Sequence, residues 1–384
     1  MATHRVFFPL AMLLAMLEIP LWAGLYRERP DLALWHAHEM LFGYALAVVA
    51  GFLLARLDRR LLAGLVAIWL LARLALAFGW PLLGGVAALG FTFGVTGLAA
   101  ARFQRGARKG RNRIFVVLPL GMGAAEALFL AGVMGLFDDG AWRGILLMLD
   151  LVTLIMLQMG GRVIPAATAG ALRRRNLVLH DRVQPWVEAA IGVAMLVVVL
   201  ADQVPALSEL AGAAGLLAAT LAGLRLLRWR GWLIWRTVEM AALHLGYAWL
   251  VVGLGLKAAA AFLPAVPLMA GIHALAIGAL GTLTVTMMLR TDTTRQRSGQ
   301  MPHHRIAWAT MMLTVAGLLR VGAVFDGYQH GIWAAAGFWT AAMLVAASRY
   351  AAGFGRRCGH NTVTANDSVP AYPPAQVPLN RRLA

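Results

Sequence analysis

Charge is what this sequence lacks. Only 13% of its 384 residues are charged, against roughly a quarter in an average soluble domain, so a soluble fold of this size is excluded. Acidic residues are the scarcer kind, 17 against 34 Lys and Arg. Cysteine is nearly absent too: the single Cys358 excludes an intramolecular disulfide, and its place near the end gives it no redox role. What is there instead is apolar. Hydrophobic residues make up 60% of the chain and mean hydropathy is +0.72, the composition of a protein whose solvent is a lipid bilayer. The net charge of +17 would suggest nucleic acid in a soluble protein, but here the arginines fall in short clusters between apolar stretches, so no nucleic-acid partner is expected.

Apolar spans at 5–25, 35–55, 61–79, 81–101, 114–137, 141–161, 184–202, 206–225, 236–262, 264–289, 305–325 and 331–352 are each long enough to cross about 30 Å of hydrocarbon. They predict an all-α polytopic bundle of twelve transmembrane helices over residues 1–355. The weakest joints are Gly79-Trp80-Pro81 and Asp202-Gln203-Val204-Pro205. The first span is retained as a helix because no small-x-small cleavage site follows it before Arg27-Glu28-Arg29. Residues 356–384, with Pro370, Pro373, Pro374 and Pro378, are expected to form a disordered tail.

The loops test this count. Of the 34 Lys and Arg residues, 28 fall on one side of the twelve-span arrangement with both termini, three (Arg27, Arg29, Arg143) fall opposite, and three (Arg73, Lys257, Arg320) lie within spans. The positive-inside rule then puts both ends in the cytoplasm, so the chain is expected to be a multi-pass protein of the bacterial inner membrane.

Ionisable side chains inside a span are costly unless paired, ligated or facing water, so each is a candidate functional residue. Glu18, Glu188, Glu239 and Lys257 lie close enough to span ends to reach headgroups. Arg73, Glu126, Asp150 and Arg320 do not. Four of the ten histidines, His36, His38, His244 and His273, sit in or at the mouth of spans and are the natural ligand candidates. The remaining six, His4, His180, His303, His304, His330 and His360, are expected to be solvated.

His36 and His38 stand two apart, about 200° around an α-helix, so a regular helix cannot point both at one metal. Either that end is unwound or the two serve different partners. Glu39 and Met40, three and four residues after His36, share its face and join it as candidate metal ligands. His38 and His273 both lie near the arginine-poor face and would be able to meet through one cofactor, with His244 deeper and its partner open. A macrocycle takes axial imidazoles from two helices, and copper accepts imidazoles with or without a thioether.

The string Trp35-His36-Ala37-His38-Glu39-Met40-Leu41-Phe42-Gly43-Tyr44, followed by Ala50-Gly51-Phe52-Leu53-Leu54, resembles the signature of the NnrS family of bacterial membrane proteins. Further matches follow in order: Gly160-Gly161-Arg162-Val163-Ile164-Pro165, His244-Leu245-Gly246-Tyr247-Ala248-Trp249, and His273-Ala274-Leu275 with Gly278-Ala279-Leu280-Gly281-Thr282. The resemblance implies a twelve-helix protein containing haem b and copper, tied to denitrification and to protection from nitric oxide, with His36, His38, His244 and His273 as its prominent histidines. Nitric oxide would be its small-molecule ligand, and turnover of it would make the chain an oxidoreductase. Arg162, at the expected end of the sixth helix, is a candidate either for a haem propionate or for a positive-inside anchor. Arg320, well inside a span, would pair with a propionate, with Asp150 or with Glu126. The competing reading is a proton- or metal-coupled transporter using the same His and carboxylate residues.

Overall fold

The computed structural model describes residues 1–358 except 30, 107–113, 181, 297–300 and 328. Among the described residues there are twelve long or apolar helices, one for each expected span: α1 (His4–Leu25), α2 (Leu32–Leu53), α3 (Arg59–Ala77), α4 (Pro81–Gly106), α5 (Ile114–Val133), α6 (Gly140–Arg173), α7 (Pro185–Ala201), α8 (Ser208–Arg228), α9 (Val238–Ala259), α10 (Leu268–Thr293), α11 (His303–Asp326) and α12 (Gln329–Cys358). Ten are long and apolar enough to cross a membrane, and two are shorter apolar helices, Leu120–Val133 and Pro185–Ala201. This is a polytopic all-α membrane protein.

Local chemistry explains the joints. Gly79 takes φ +76°, open to glycine at no steric cost, and Pro81 opens α4, so the Gly79-Trp80-Pro81 joint is a tight turn between separate helices. The Asp58 side chain caps α3 by accepting from the Arg60 backbone N–H at 2.8 Å, which holds its carboxyl below the usual carboxylate range. Ala2 and Arg56 pair as an isolated β-bridge, tying the N-terminus to the α2–α3 loop on the arginine-rich face. The α5–α6 hairpin closes on small residues: a Cβ on Gly144 would come within 2.6 Å of the Ala125 carbonyl oxygen, the close backbone approach typical of membrane helices. The last helix runs to Cys358, past the expected boundary at 355; residues 359–384, with His360 and the proposed tail, lie outside the described residues, as does part of the Arg102–Arg113 cluster.

Two corrections concern helix length and burial. α6 does not end near residue 161 but continues through Pro165 to Arg173, 34 residues or about 51 Å. Its extension persists because Ile164, Pro165, Thr168, Ala171 and Leu172 are buried against the bundle, and that packing outweighs the broken backbone bond at proline. His4, expected in solvent, is 2% exposed and packs on Phe8.

α2 and α10 both depart from α-helical geometry. A π-helical stretch spans Glu39–Ala45 in α2 and another spans Ala274–Gly281 in α10, each beginning one residue after a histidine. A glycine follows five residues after each histidine. A Cβ on Gly43 would lie 2.5 Å from Arg73 Nη1, and one on Gly278 would lie 2.3 Å from the Trp249 ring. The widened turn in α2 is supported from outside by the Trp69 indole, which donates to the Gly43 carbonyl at 3.1 Å. Tyr44 and Thr284 join the two helices through their hydroxyls at 2.6 Å.

Candidate functional site

Helix ends meet around a cavity of about 290 Å³ near the arginine-poor face. Trp22 of α1, His36 and Met40 of α2, Trp142 of α6, His273 of α10, Arg320 of α11 and Trp339 of α12 all line it. Apart from the two imidazoles and the guanidinium, the walls are chiefly apolar.

His36 is oriented by two contacts. Its Nδ1 lies 2.8 Å from Glu18 Oε1, and its ring stacks on Trp22 with centroids 4.2 Å apart. Glu18 is only 3% exposed, so it is a buried partner rather than a headgroup contact. His273 donates from Nδ1 to the Met269 carbonyl at 2.7 Å. A carbonyl can only accept, so the proton sits on Nδ1 and Nε2 keeps its lone pair; a carboxylate acceptor does the same for His36. An imidazole held through one nitrogen with the other open is the usual preparation of a metal ligand. Arg320 lies 6.0 Å over the Trp22 ring. Its buried Nε has no hydrogen-bond partner, nor do the buried indole nitrogens of Trp22 and Trp339.

His38 faces elsewhere. It is 1% exposed, with Nδ1 3.2 Å from Glu39 Oε1 and Nε2 2.9 Å from Glu126 Oε1, and its ring stacks on Phe42 and on Phe129 at 4.9 and 4.4 Å. Glu39 pairs in turn with Arg73 at 3.2 Å. Both His38 nitrogens are engaged, so no lone pair is open in this arrangement. The expectation that His38 shares a cavity with His273 is therefore corrected: His36 does. The helix is regular from His36 to His38, so the second alternative holds and the two imidazoles serve different surroundings. The π-helical stretch begins at Glu39 and turns that carboxylate to Arg73, while Met40 stays on the cavity wall.

His244 belongs to a third environment. Its Nδ1 donates to the Met240 carbonyl at 2.9 Å, Nε2 is 3.5 Å from the Thr168 hydroxyl, and Trp229 meets it edge-on at 6.3 Å. Next to it Arg225, 1% exposed, donates to the Leu157 carbonyl at 2.7 Å and to the Tyr247 hydroxyl at 2.9 Å. This clasp explains the doubled glycine before Arg162, since a Cβ on Gly161 would stand 2.5 Å from Arg225 Nη1. We expect Gly161→Ala to cost about 1–3 kcal/mol through overpacking, read as a lowered thermal midpoint, and Gly170→Ala on the same helix, where a Cβ meets nothing within 4 Å, to cost little. Arg162 lies within α6, eleven residues before its end, rather than at a helix terminus.

Arg320 pairs with neither acid expected for it. Glu126 holds His38, and Asp150 is bound by Lys257, which also reaches Asp202. Lys257 is thus a buried ion-pair residue and not a headgroup contact. Glu239 pairs with His303 at 3.0 Å, and His180, His303, His304 and His330 are all exposed as expected. Among the described residues, no three His, Cys, Asp or Glu side chains gather where one metal ion would sit. Sequence reasoning missed Trp22, Trp142 and Trp339. Trp22 alone carried a signal, four residues after Glu18 and hence on its face of α1.

No curated protein matches the chain. The family profile described as NnrS protein matches residues 1–357, which takes in every helix but the final residue of α12 and every residue of the three histidine environments. The chain belongs to the NnrS family.

Proposed function

We propose that this protein is a haem and copper protein of the nitric oxide response, that His36 and His273 would hold its haem b, and that the arginine-rich face is cytoplasmic in a bacterial inner membrane. The observation that carries this is the pair of imidazoles on two walls of one cavity, each pinned through Nδ1 with Nε2 open. The donor set fits the group. The cavity of about 290 Å³ has chiefly apolar walls, is partly open and exceeds what a bare ion needs, and three unpartnered N–H donors, on Arg320, Trp22 and Trp339, suit propionates.

In this reading His36 and His273 would hold the iron, Glu18 fixes the His36 ring and raises its basicity, and Arg320 takes carboxylate charge that the apolar walls would reject. Haem, when bound, would supply a ferrous iron that takes nitric oxide provided one of the two imidazoles is labile. Trp22 keeps water from the His36 face. Copper is assigned to no separate residue: His36, Met40 and His273 form a donor set that copper also accepts, and the unpartnered donors of Arg320, Trp22 and Trp339 favour a group that carries carboxylates.

Purified protein is expected to show a Soret band that shifts on reduction and again on exposure to nitric oxide. A protein with no Soret band, and no copper by elemental analysis, overturns the proposal. A proton-coupled transporter is the second reading, favoured by the buried run of Glu126, His38, Glu39 and Arg73 inside the spans. Proton uptake into proteoliposomes driven by a solute gradient would select it.

A further inference from the structure

A second cavity, of about 140 Å³, lies further along the helices that wall the first, towards the arginine-rich face. α2 contributes Val49 and Phe52, α6 Ile155 and Met159, and α10 Leu280 and Met287. It exposes no polar surface. The one hydroxyl on its wall, Thr284, is spent on the Leu280 carbonyl at 2.6 Å and on Tyr44. Leu280 lines both cavities and is 4% exposed, so its side chain stands between them. The second cavity is not sealed at its edge, and the segments around it belong to membrane spans.

We propose that this second cavity is a binding site for a small apolar gas molecule, taken up from the hydrocarbon of the bilayer and passed to the histidine cavity across Leu280. Size and chemistry fix the class of guest. An apolar cavity of roughly 150 Å³ stays dry and takes xenon or benzene, and here no donor or acceptor exists to hold water, an ion or a polar solute. The lining runs from Val152 to Ile164 along α6, about 18 Å, so an acyl tail from the bilayer is the competing guest that the experiment below must exclude. Diatomic gases of low polarity dissolve better in hydrocarbon than in water, so an entrance at this depth draws on the richer phase. The π-helical stretch of α10 ends at Gly281, so Leu280 lies where the backbone is braced by the Thr284 and Tyr44 hydroxyls rather than by a regular ladder. The gas site stands on its own geometry; the transfer step rests on the haem reading of the first cavity.

The test has two arms. Crystals of the full chain pressurised with xenon are expected to show a xenon atom among α2, α6 and α10, and Ile155→Trp, which fills that space, is expected to remove it. In haem-loaded protein in nanodiscs, bimolecular carbon monoxide rebinding after flash photolysis is expected to slow about tenfold in Ile155→Trp and to quicken several-fold in Leu280→Ala, because a barrier between the cavities sets the rate. Absence of xenon, or continuous acyl density in its place, overturns the gas site. Unchanged rebinding in both variants, with normal haem spectra, overturns the transfer step. If the protein binds no haem, the haem reading falls and the xenon result alone decides the site.

Discussion

Alanine at His36 or at His273 is expected to lower haem bound per chain by at least about tenfold, while alanine at His244 leaves it near the wild-type level. Each of the first two changes removes an open Nε2 from the cavity wall; the third removes an imidazole that does not line that cavity. His38→Gln separates this proposal from the one the sequence alone suggested. The amide N–H of glutamine can still donate to Glu39 or Glu126, so the Soret band should persist although the bundle is less stable. Glu18→Gln gives a finer reading, weakening haem by about tenfold or less and moving the absorption maximum, since the carboxylate acts on the iron only through His36. Added imidazole should restore a band to His36→Ala, which a merely misfolded variant would not show. Retention of haem in the His36 and His273 variants, with loss in His38→Gln, would reverse the assignment.

The largest stability effect is expected at Lys257. Its ammonium lies between Asp150, fully buried, and Asp202, whose side chain is 16% exposed. Lys257→Met leaves the Asp150 carboxylate without its cation in the interior, and breaking such a pair from one side costs about 3–5 kcal/mol. Asp202 contributes less because solvent reaches it. The double variant Lys257→Met with Asp150→Leu should recover most of the loss, since apolar replacement of a whole buried pair is close to neutral. Thermal unfolding midpoints in detergent decide the matter: equal loss in the single and double variants would mean that the lysine stem packs rather than pairs. Haem content should change little in either, because none of these three residues lines the cavity of His36 and His273.

The number of helices was legible because lipid imposes length and hydropathy together, and the loop arginines fixed which helix ends share a face. Four histidines stood out for the same reason, being polar where polarity is expensive. Their division was not legible. It needed the approach of α1, α10 and α11 to α2, which no local pattern encodes, and a π-helical stretch that hydropathy cannot distinguish from an α-helical one. Glu18 and Lys257 looked like headgroup contacts because each lies within two turns of a helix end, yet neighbouring helices cover them. Arg162 looked terminal because arginine and proline close together usually end a span; burial of the next turns kept α6 helical. Arg320 was recognised as out of place, but its neighbours are an indole and a cavity, not a carboxylate.

The two widened turns leave α2 and α10 each divided into halves set out of phase. A π-helical stretch takes in about one residue more than the α-helix it interrupts, so the side chains beyond it are rotated by about 100° from their α-helical places. In both helices the histidine lies on one side of that offset and the apolar cavity wall on the other, so each half can keep its own hydrophobic face. The Tyr44 and Thr284 hydroxyls join the helices close to where the offset is taken up. One hydroxyl contact thus ties together the two helices that carry His36 and His273.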